Sequence, residues 1–181
     1  MPAATVTFTL TVSVAGESKE FVLSARQVES LVSGADDTPE FADLFSAAAQ
    51  HSARNVRCAA AGQDQLPTDA ALALASDPCA DVRERVARNR AFYRIATDAA
   101  VLKLITSDPE IADAIAGNVE QFENADADAL CEALSKHPDP TVRRTLAWNS
   151  GTPVKWLRKL RNDPAPEVAA TAAQMMAQWS R

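Results

Sequence analysis

A weak internal repeat in the last two-thirds of the chain constrains the fold more than any other feature of the sequence. Each copy is built around one apolar anchor residue, and the five anchors are Val56, Val82, Ile111, Val142 and Val168. Successive anchors lie 26, 29, 31 and 26 residues apart. Self-similarity at this period is typical of helix pairs that cannot bury their apolar sides alone and therefore stack on their neighbours. The repeat predicts a helical array.

A polar residue followed by proline marks the start of four copies. These pairs are Asp77-Pro78, Asp108-Pro109, His137-Pro138 and Asp163-Pro164, and three residues before each pair stands Leu74, Ile105, Leu134 or Leu160. Asp is a favoured N-cap, and Pro needs no N–H donor in the first turn of a helix. Each Asp-Pro pair is therefore expected to cap the helix that carries the next anchor, and each aliphatic residue to be buried.

The best-preserved copy, around Val142, shows what one unit is expected to bury. Its first helix buries Val142 and Leu146, which lie four residues apart on one side, and ends near Asn149. Thr152-Pro153 then starts a second helix whose buried side includes Leu160. Such a pair has too little core to be stable alone, so neighbouring units must stack.

The first fifty residues have a different pattern. Polar and apolar residues alternate over residues 5–14, which predicts a β-strand, and a turn at Gly16 leads to a second strand ending near Leu23. A lone hairpin is marginal in water, so its apolar face is expected to pack on a helix or its edge to pair with another copy or a partner strand. Two helices follow, one capped by Ser24 and one starting at Thr38-Pro39.

The segment "DPTVRRTLAWNSGTPVKWLRKLRNDP", with weaker copies before it, resembles the leucine-rich repeat variant family and, more distantly, HEAT repeats. The resemblance covers roughly residues 54–178. It implies a right-handed superhelix of paired helices and no activity. One member of that family carries an iron–sulfur cluster on a cysteine-rich N-terminal segment, but this chain has no cysteine before Cys58, so no cofactor is expected.

The predicted fold class is thus mainly α. Residues 1–52 are expected to form a β-hairpin plus two helices, and residues 53–181 a helical repeat array, an α-solenoid.

Composition narrows the possible functions. The net charge of −6 disfavours a general binder of nucleic-acid backbones, because such proteins carry an excess of Lys and Arg. The three cysteines are far apart and lack the spacing of a metal site, which indicates no metal and reduced thiols in a cytoplasmic protein. The N-terminus has neither the basic start of a signal peptide nor an apolar run long enough to span a membrane.

No pattern in the sequence indicates catalysis. Glycine-rich phosphate loops, nucleophile elbows and HExxH motifs are absent, and the chain has only five glycines. His51 and His137 have no evident catalytic neighbours, and the cysteines are expected to be buried as small apolar residues. We therefore expect a protein that is not an enzyme.

Two polar ladders run in register with the anchors. Arg57, Arg83 and Arg143 directly follow an anchor, and Asn89, Asn118 and Asn149 lie seven residues after one. The arginines could recognise an anion, but pairing with an Asp or a carbonyl of the adjacent unit is the more ordinary use of such a residue. The asparagines are expected to satisfy helix ends.

Charge is segregated along the chain. Residues 108–132 contain eight acidic residues and no Lys or Arg, whereas residues 136–161 contain seven basic residues and one acid. Within the basic stretch, Trp156 is expected to be core, while Trp148 is a candidate for exposure beside arginine, as at binding hot spots. The predicted partner-binding residues are Arg143, Arg144, Trp148, Lys155, Arg158 and Lys159.

The function predicted from the sequence is a non-enzymatic protein-interaction module that docks an acidic segment of a protein partner. The alternative is a nucleic-acid-binding or DNA-repair protein built from helical repeats. It would require a basic excess across several units, and here the excess is confined to one or two. A homodimer through the N-terminal hairpin is a further expectation.

Overall fold

The computed structural model describes residues 6–179, and this part of the chain is mainly helical with a short antiparallel hairpin at its start. The hairpin consists of β1 (Thr9–Val14) and β2 (Glu17–Val22). Twelve α-helices follow in the described residues: α1 (Ala25–Gly34), α2 (Ala42–Ala49), α3 (Arg54–Ala61), α4 (Thr68–Leu74), α5 (Ala80–Ala87), α6 (Arg90–Ile95), α7 (Asp98–Ile105), α8 (Pro109–Ala116), α9 (Ala127–Ser135), α10 (Pro140–Trp148), α11 (Val154–Leu160) and α12 (Pro166–Trp179). The predicted class, mainly α with an N-terminal hairpin, is confirmed.

The hairpin is closed by a two-residue turn at Ala15 and Gly16. Both have positive φ, 52° and 86°, as the tight turns that match strand twist require. The strands pair from Thr9 opposite Val22 to Val14 opposite Glu17. The first strand is shorter than predicted, and residue 5, where the prediction began, lies outside the described residues.

Both faces of the hairpin are exposed. Every residue of β1 and β2 is exposed, including Leu10 and Phe21 at 51% each. One contact toward the helices is that of the Phe8 and His51 rings, with centroids 6.0 Å apart. Within residues 6–179, therefore, no helix covers the apolar face, and pairing with another chain stays a prediction.

The start of α1 follows the sequence closely. The Ser24 side chain accepts from the Gln27 backbone N–H, and the Gln27 side chain accepts from the Ser24 N–H, which forms a complete capping box. Thr38-Pro39 starts a 3₁₀ turn over Pro39–Phe41 rather than α2 itself.

The chain divides into two compact units between Ala91 and Phe92. In the first unit α1 packs against α3, α3 against α5, and α2 against α4. In the second unit α8 packs against α10, α10 against α12, α7 against α9, and α9 against α11. Alternate helices are thus neighbours in each unit. The predicted division at residues 52 and 53 stays a prediction.

The repeat anchors form the core, as predicted. Val56, Val82, Ile111, Val142 and Val168 are at most 1% exposed. The four aliphatic residues that precede the polar-proline pairs are also buried, at 2% or less. Each such side chain contributes about 1.5–3 kcal/mol relative to an exposed one. Val28 and Val32 on α1 are buried with the same spacing of four.

The predicted helix caps are only partly correct. Asp108 is the N-cap of α8, and its side chain accepts from the Glu110 N–H at 2.8 Å. The cap of α10 is Asp139 rather than His137. Asp77 and Asp163 cap no helix, because α5 and α12 begin later and both carboxylates bind arginine instead.

Candidate partner-binding surface

Arg143 is held inside the second unit by both arms of its guanidinium. Nε donates to Asp163 Oδ2 at 2.8 Å and Nη2 to Asp163 Oδ1 at 2.9 Å, while Nη1 donates to the His137 and Pro138 carbonyls at 2.7 and 3.0 Å. The two charged side chains are 11% and 5% exposed. The hydrogen bonds from Arg143 lower the pKa of Asp163 below its usual range. Arg143, which was predicted to bind the partner, thus forms an ion pair inside the protein.

Arg57 makes the same arrangement in the first unit. Its Nε and Nη2 donate to Asp77 at 2.7 and 3.2 Å, and Nη1 donates to the carbonyls of His51 and Ser52. We call this arrangement, an arginine that forks onto the Asp twenty residues later, a clamp. Bidentate pairs of this kind are strong and directional. The expectation that the ladder arginines pair with an Asp or a carbonyl is confirmed.

The clamped Asp also closes a turn just before the next helix. One oxygen of Asp77 and one of Asp163 accept from the backbone N–H two residues later, at 2.8 and 2.9 Å. The Nδ1 atoms of His51 and His137 accept from the backbone in the same way, at 3.0 and 3.2 Å. Histidine therefore serves the turn in two repeats that receive no clamp arginine, and Asp108 serves it in a third by accepting from the Glu110 N–H.

Arg83 is the one of the three ladder arginines that forms no ion pair with an aspartate among residues 6–179. Its Nη1 donates to the Asp77 carbonyl at 2.7 Å, as in the other two copies. Its Nε is buried and has no hydrogen-bond partner among residues 6–179. Arg83 therefore has one half of a clamp.

Two of the three ladder asparagines close the ends of the preceding anchor helices. The Nδ2 atoms of Asn89 and Asn149 donate to the Ala61 and Ala116 carbonyls at 2.8 and 3.0 Å, and both asparagines are buried. Asn118 lies two residues beyond the end of α8, and its Nδ2 donates to the Ala114 carbonyl in the last turn of that helix. The helix-end role is confirmed for all three.

The basic side chains of α11 gather around Trp156. The Asp128 carboxylate accepts from Lys155 Nζ and, at 3.0 Å, from Trp156 Nε1, which lowers the pKa of Asp128. Lys159 Nζ donates to Ser135 Oγ at 3.2 Å and lies 4.9 Å from the centroid of the Trp156 ring.

Trp156, which was expected to be core, is half-buried and lies beside these lysines. Residues three apart, such as Trp156 and Lys159, share one side of a helix.

An open surface lies between α10 and α12. Arg144, Thr145 and Trp148 of α10 and Thr171 of α12 line a cavity of about 400 Å³. Trp148 is 59% exposed and Arg144 is exposed. Thr145 Oγ1 donates to Asp113 Oδ1 of α8 at 2.5 Å, and this hydrogen bond holds the Thr145 side chain in place. We call this the α10–α12 surface.

The six predicted site residues fall into separate groups. Arg144 and Trp148 meet on the α10–α12 surface, Lys155 and Lys159 meet at Trp156, Arg143 is in its clamp, and Arg158 is exposed on α11.

Thr145 and Thr171 of the α10–α12 surface were missed. Each lies three residues after an anchor, so the repeat register alone could have placed them together.

The cysteines and histidines do not form a reactive cluster in the described part of the chain. The three cysteines are free thiols, and burial raises the pKa of Cys131 to about 12, so that thiol stays protonated near neutral pH. Burial also raises the pKa of Cys58. Residues 6–179 contain no group of three or more His, Cys, Asp or Glu side chains that could hold a metal ion.

The chain matches no family model, no curated protein and no solved structure. None of its described helices combines the length and the apolar character needed to cross a bilayer.

Proposed function

We propose that the chain is a non-enzymatic, cytoplasmic protein-interaction module and that its α10–α12 surface docks an acidic segment of a protein partner. The observation that carries this proposal is Trp148, a large aromatic side chain that is 59% exposed and lies beside Arg144 at a cavity. Tryptophan and arginine dominate binding hot spots, because the ring offers buried area at little entropic cost and the guanidinium offers directed donors.

The scaffold in this proposal is an α-solenoid of helix pairs, similar to leucine-rich repeat variants and HEAT repeats. It is supported by the repeated packing of alternate helices within each unit and by the buried anchors. The two clamps support it further, because they join successive repeats with the same geometry in both units.

The acidic character of the partner follows from the basic side chains that remain open. Arg144 and Arg158 are exposed, and neither has an ion-pair partner within residues 6–179. Lys155, by contrast, is already paired with Asp128. An acidic segment would be steered by the open arginines and held by the indole.

A nucleic-acid ligand is the less favoured alternative. A phosphate backbone requires several free cations along one face, whereas the guanidiniums of Arg57 and Arg143 are used inside the protein. The residues 108–132, rich in carboxylates, would repel such a ligand.

The test is a selection of random peptides displayed on phage against the full chain. Enriched peptides are expected to combine Asp or Glu with an apolar residue. Their affinity should fall about tenfold or more in Trp148→Ala and in Arg144→Glu, because each removes a hot-spot contact. Matched controls are Leu31→Ala and Arg26→Glu, which alter exposed residues on α1.

The proposal is wrong if the enriched peptides are not acidic or if the controls weaken them as much as the surface variants do. Binding of single-stranded DNA by the same surface, with a loss of roughly a thousandfold between low and moderate salt, would establish the nucleic-acid alternative instead.

A further inference from the structure

The hairpin carries most of the large apolar side chains that are exposed in the described chain. Five of the seven large apolar residues that are exposed there belong to β1 and β2, and Leu10, Val12, Val14 and Phe21 share one face of the hairpin. A contiguous apolar patch of this kind usually marks an interaction site. A two-stranded hairpin also needs further strands or a covering helix for stability.

The backbone of β1 has an open edge with a defined pattern. Within residues 6–179 the two strands form a sheet of their own, so each has one edge that no described strand pairs with. Leu23 N–H donates to the Phe8 carbonyl, which marks that pair as hydrogen-bonded. Because hydrogen-bonded and non-hydrogen-bonded pairs alternate, the N–H and C=O groups of Thr9, Thr11 and Ser13 point to the free edge.

The two edges differ in charge. β2 carries Glu17, Lys19 and Glu20, whereas β1 reads TLTVSV and has no charged residue. Charged side chains on an edge strand are a common way to prevent unwanted pairing, and β1 has none. The β1 edge is therefore the one left open to another strand.

We propose that β1 pairs with β1 of a second copy of this chain, antiparallel, about a twofold axis at Thr11. In this register Thr11 lies opposite the second copy's Thr11, Thr9 lies opposite Ser13, and Leu10 lies opposite Val12. All outward N–H and C=O groups of Thr9, Thr11 and Ser13 then face their counterparts. The result is a four-stranded sheet in which the apolar side chains of the two central strands lie side by side on one face.

Charge and pattern favour a second copy over an unrelated strand. The strand is self-complementary, since the register that satisfies the outward backbone groups also sets apolar residues opposite apolar residues and hydroxyl side chains opposite hydroxyl side chains. The whole chain carries a charge of −6, so two copies repel over most of their surfaces. The uncharged β1 edge is where that repulsion is smallest.

The first experiment measures mass by sedimentation velocity across a wide range of concentration. The full chain should dimerise, and Thr11→Lys should weaken the dimer by about tenfold or more, because two ammonium groups then face each other across the axis. A lysine at this position lies opposite Glu20 of its own hairpin, so the hairpin is kept. Ser18→Lys, which adds the same charge to the same face of β2, is the matched control and should not weaken the dimer.

The second experiment fixes the register by cross-linking, in a background with Cys58→Ser and Cys79→Ser. Thr11→Cys should form an intermolecular disulfide on mild oxidation, since hydrogen-bonded partners have Cα atoms about 5.5 Å apart. Ser13→Cys should not, because the two thiols would lie about 13 Å apart along the strands.

Three outcomes would overturn the proposal. They are a monomer at every concentration, a dimer that Ser18→Lys weakens as much as Thr11→Lys does, and cross-linking of Ser13→Cys in preference to Thr11→Cys. The last two would place the contact on β2 or in another register.

Discussion

The exposed sides of the anchor helices differ between the two units, although the clamps that join successive repeats are the same. In the first unit Arg54 forms an ion pair with Asp81 at 2.8 Å, and Asn55 donates to Glu29 at 2.6 Å. In the second unit the corresponding side has the hydrogen bond from Thr145 to Asp113 and presents Trp148 beside Arg144, which has no ion-pair partner within residues 6–179. The first-unit surface thus pairs its arginine within the protein, and the second-unit surface leaves an arginine and an indole exposed.

The clamps, in contrast, hardly change. The Nε–Oδ2 distance is 2.7 Å for Arg57 and Asp77 and 2.8 Å for Arg143 and Asp163. The comparison teaches that this scaffold keeps the contacts between successive repeats and varies the side chains beside them. Four experiments test that division.

The largest effect is expected from opening a clamp. Arg143→Leu and Arg57→Leu each leave a buried carboxylate without its counter-ion, so each should lower the free energy of unfolding by about 3 kcal/mol. Chemical denaturation followed by circular dichroism measures this.

Arg83→Leu is the control, because its fork binds no carboxylate among the described residues. It should cost about 1 kcal/mol, the value of the hydrogen bond to the Asp77 carbonyl. An equal loss in all three variants would show that the ion pair is not what stabilises the joints.

The next effect depends on pH. Asp163→Asn removes a carboxylate whose folded-state pKa is lowered by Arg143, so the stability that it contributes is present above the unfolded pKa of about 3.9. That contribution is lost as the pH falls through the lowered folded-state value. The variant should therefore be less stable than the wild type by about 2 kcal/mol at neutral pH, and the gap should close in acid.

Asp81→Asn sharpens this test. Asp81 belongs to the exposed pair with Arg54, with side chains 59% and 63% exposed, and surface pairs contribute about 0–1 kcal/mol. If Asp81→Asn lost as much stability at neutral pH as Asp163→Asn does, the distinction between the buried ion pairs that join repeats and the ion pairs on the surface would be wrong.

A smaller effect is expected at Gly151. Its N–H donates to Asn149 Oδ1, as that of Ala91 does to Asn89 in the first unit. A methyl group fits at Ala91, whereas at Gly151 a Cβ would lie 2.6 Å from Glu120 Cβ.

Gly151→Ala should therefore cost about 1 kcal/mol. The double variant Gly151→Ala with Glu120→Gly, which removes the Cβ, should recover most of that loss relative to Glu120→Gly alone, as measured by thermal unfolding. Failure of the rescue would mean that the backbone at Gly151, and not the Glu120 side chain, requires glycine.

The smallest effect on stability is expected from Trp148→Ala. The indole is 59% exposed, so its removal should change the free energy of unfolding by less than about 0.5 kcal/mol. A loss above about 1 kcal/mol in the same denaturation experiment would show that Trp148 is part of the core and that the second-unit surface is not open.

The sequence predicted the buried side of the helices well, because burial follows a period that is visible in one chain. The anchors and the aliphatic residues before each polar-proline pair are examples. The N-cap at Ser24 was also predicted correctly. The prediction that Asp77 and Asp163 cap helices was wrong. A carboxylate binds donors that are near it in space, and the arginine that binds each of these two lies twenty residues earlier in the chain.

The candidate site shows the same limit. Arg144 and Trp148 were predicted for one surface because both belong to the same helix, and in the structure they line one cavity. The pairing of Lys155 with Asp128 joins two helices, and the sequence analysis did not predict it.

The clamp also limits how repeats of this chain can be rearranged by genetic engineering. Its arginine and its aspartate belong to successive repeats, and histidine replaces the aspartate at His137, where the preceding anchor Ile111 is followed by Ala112. If repeats were exchanged at random, some arginines would be followed by a repeat that begins with histidine, and some aspartates would follow a repeat that lacks the arginine. The repeat that begins at Asp77 carries both an Asp and an Arg, but Arg83 lies 25 residues before Asp108 and its Nε has no partner among the described residues. Tandem copies of that repeat would therefore join one another through clamps only if the distance from arginine to aspartate were shortened to the 20 residues of the two clamps.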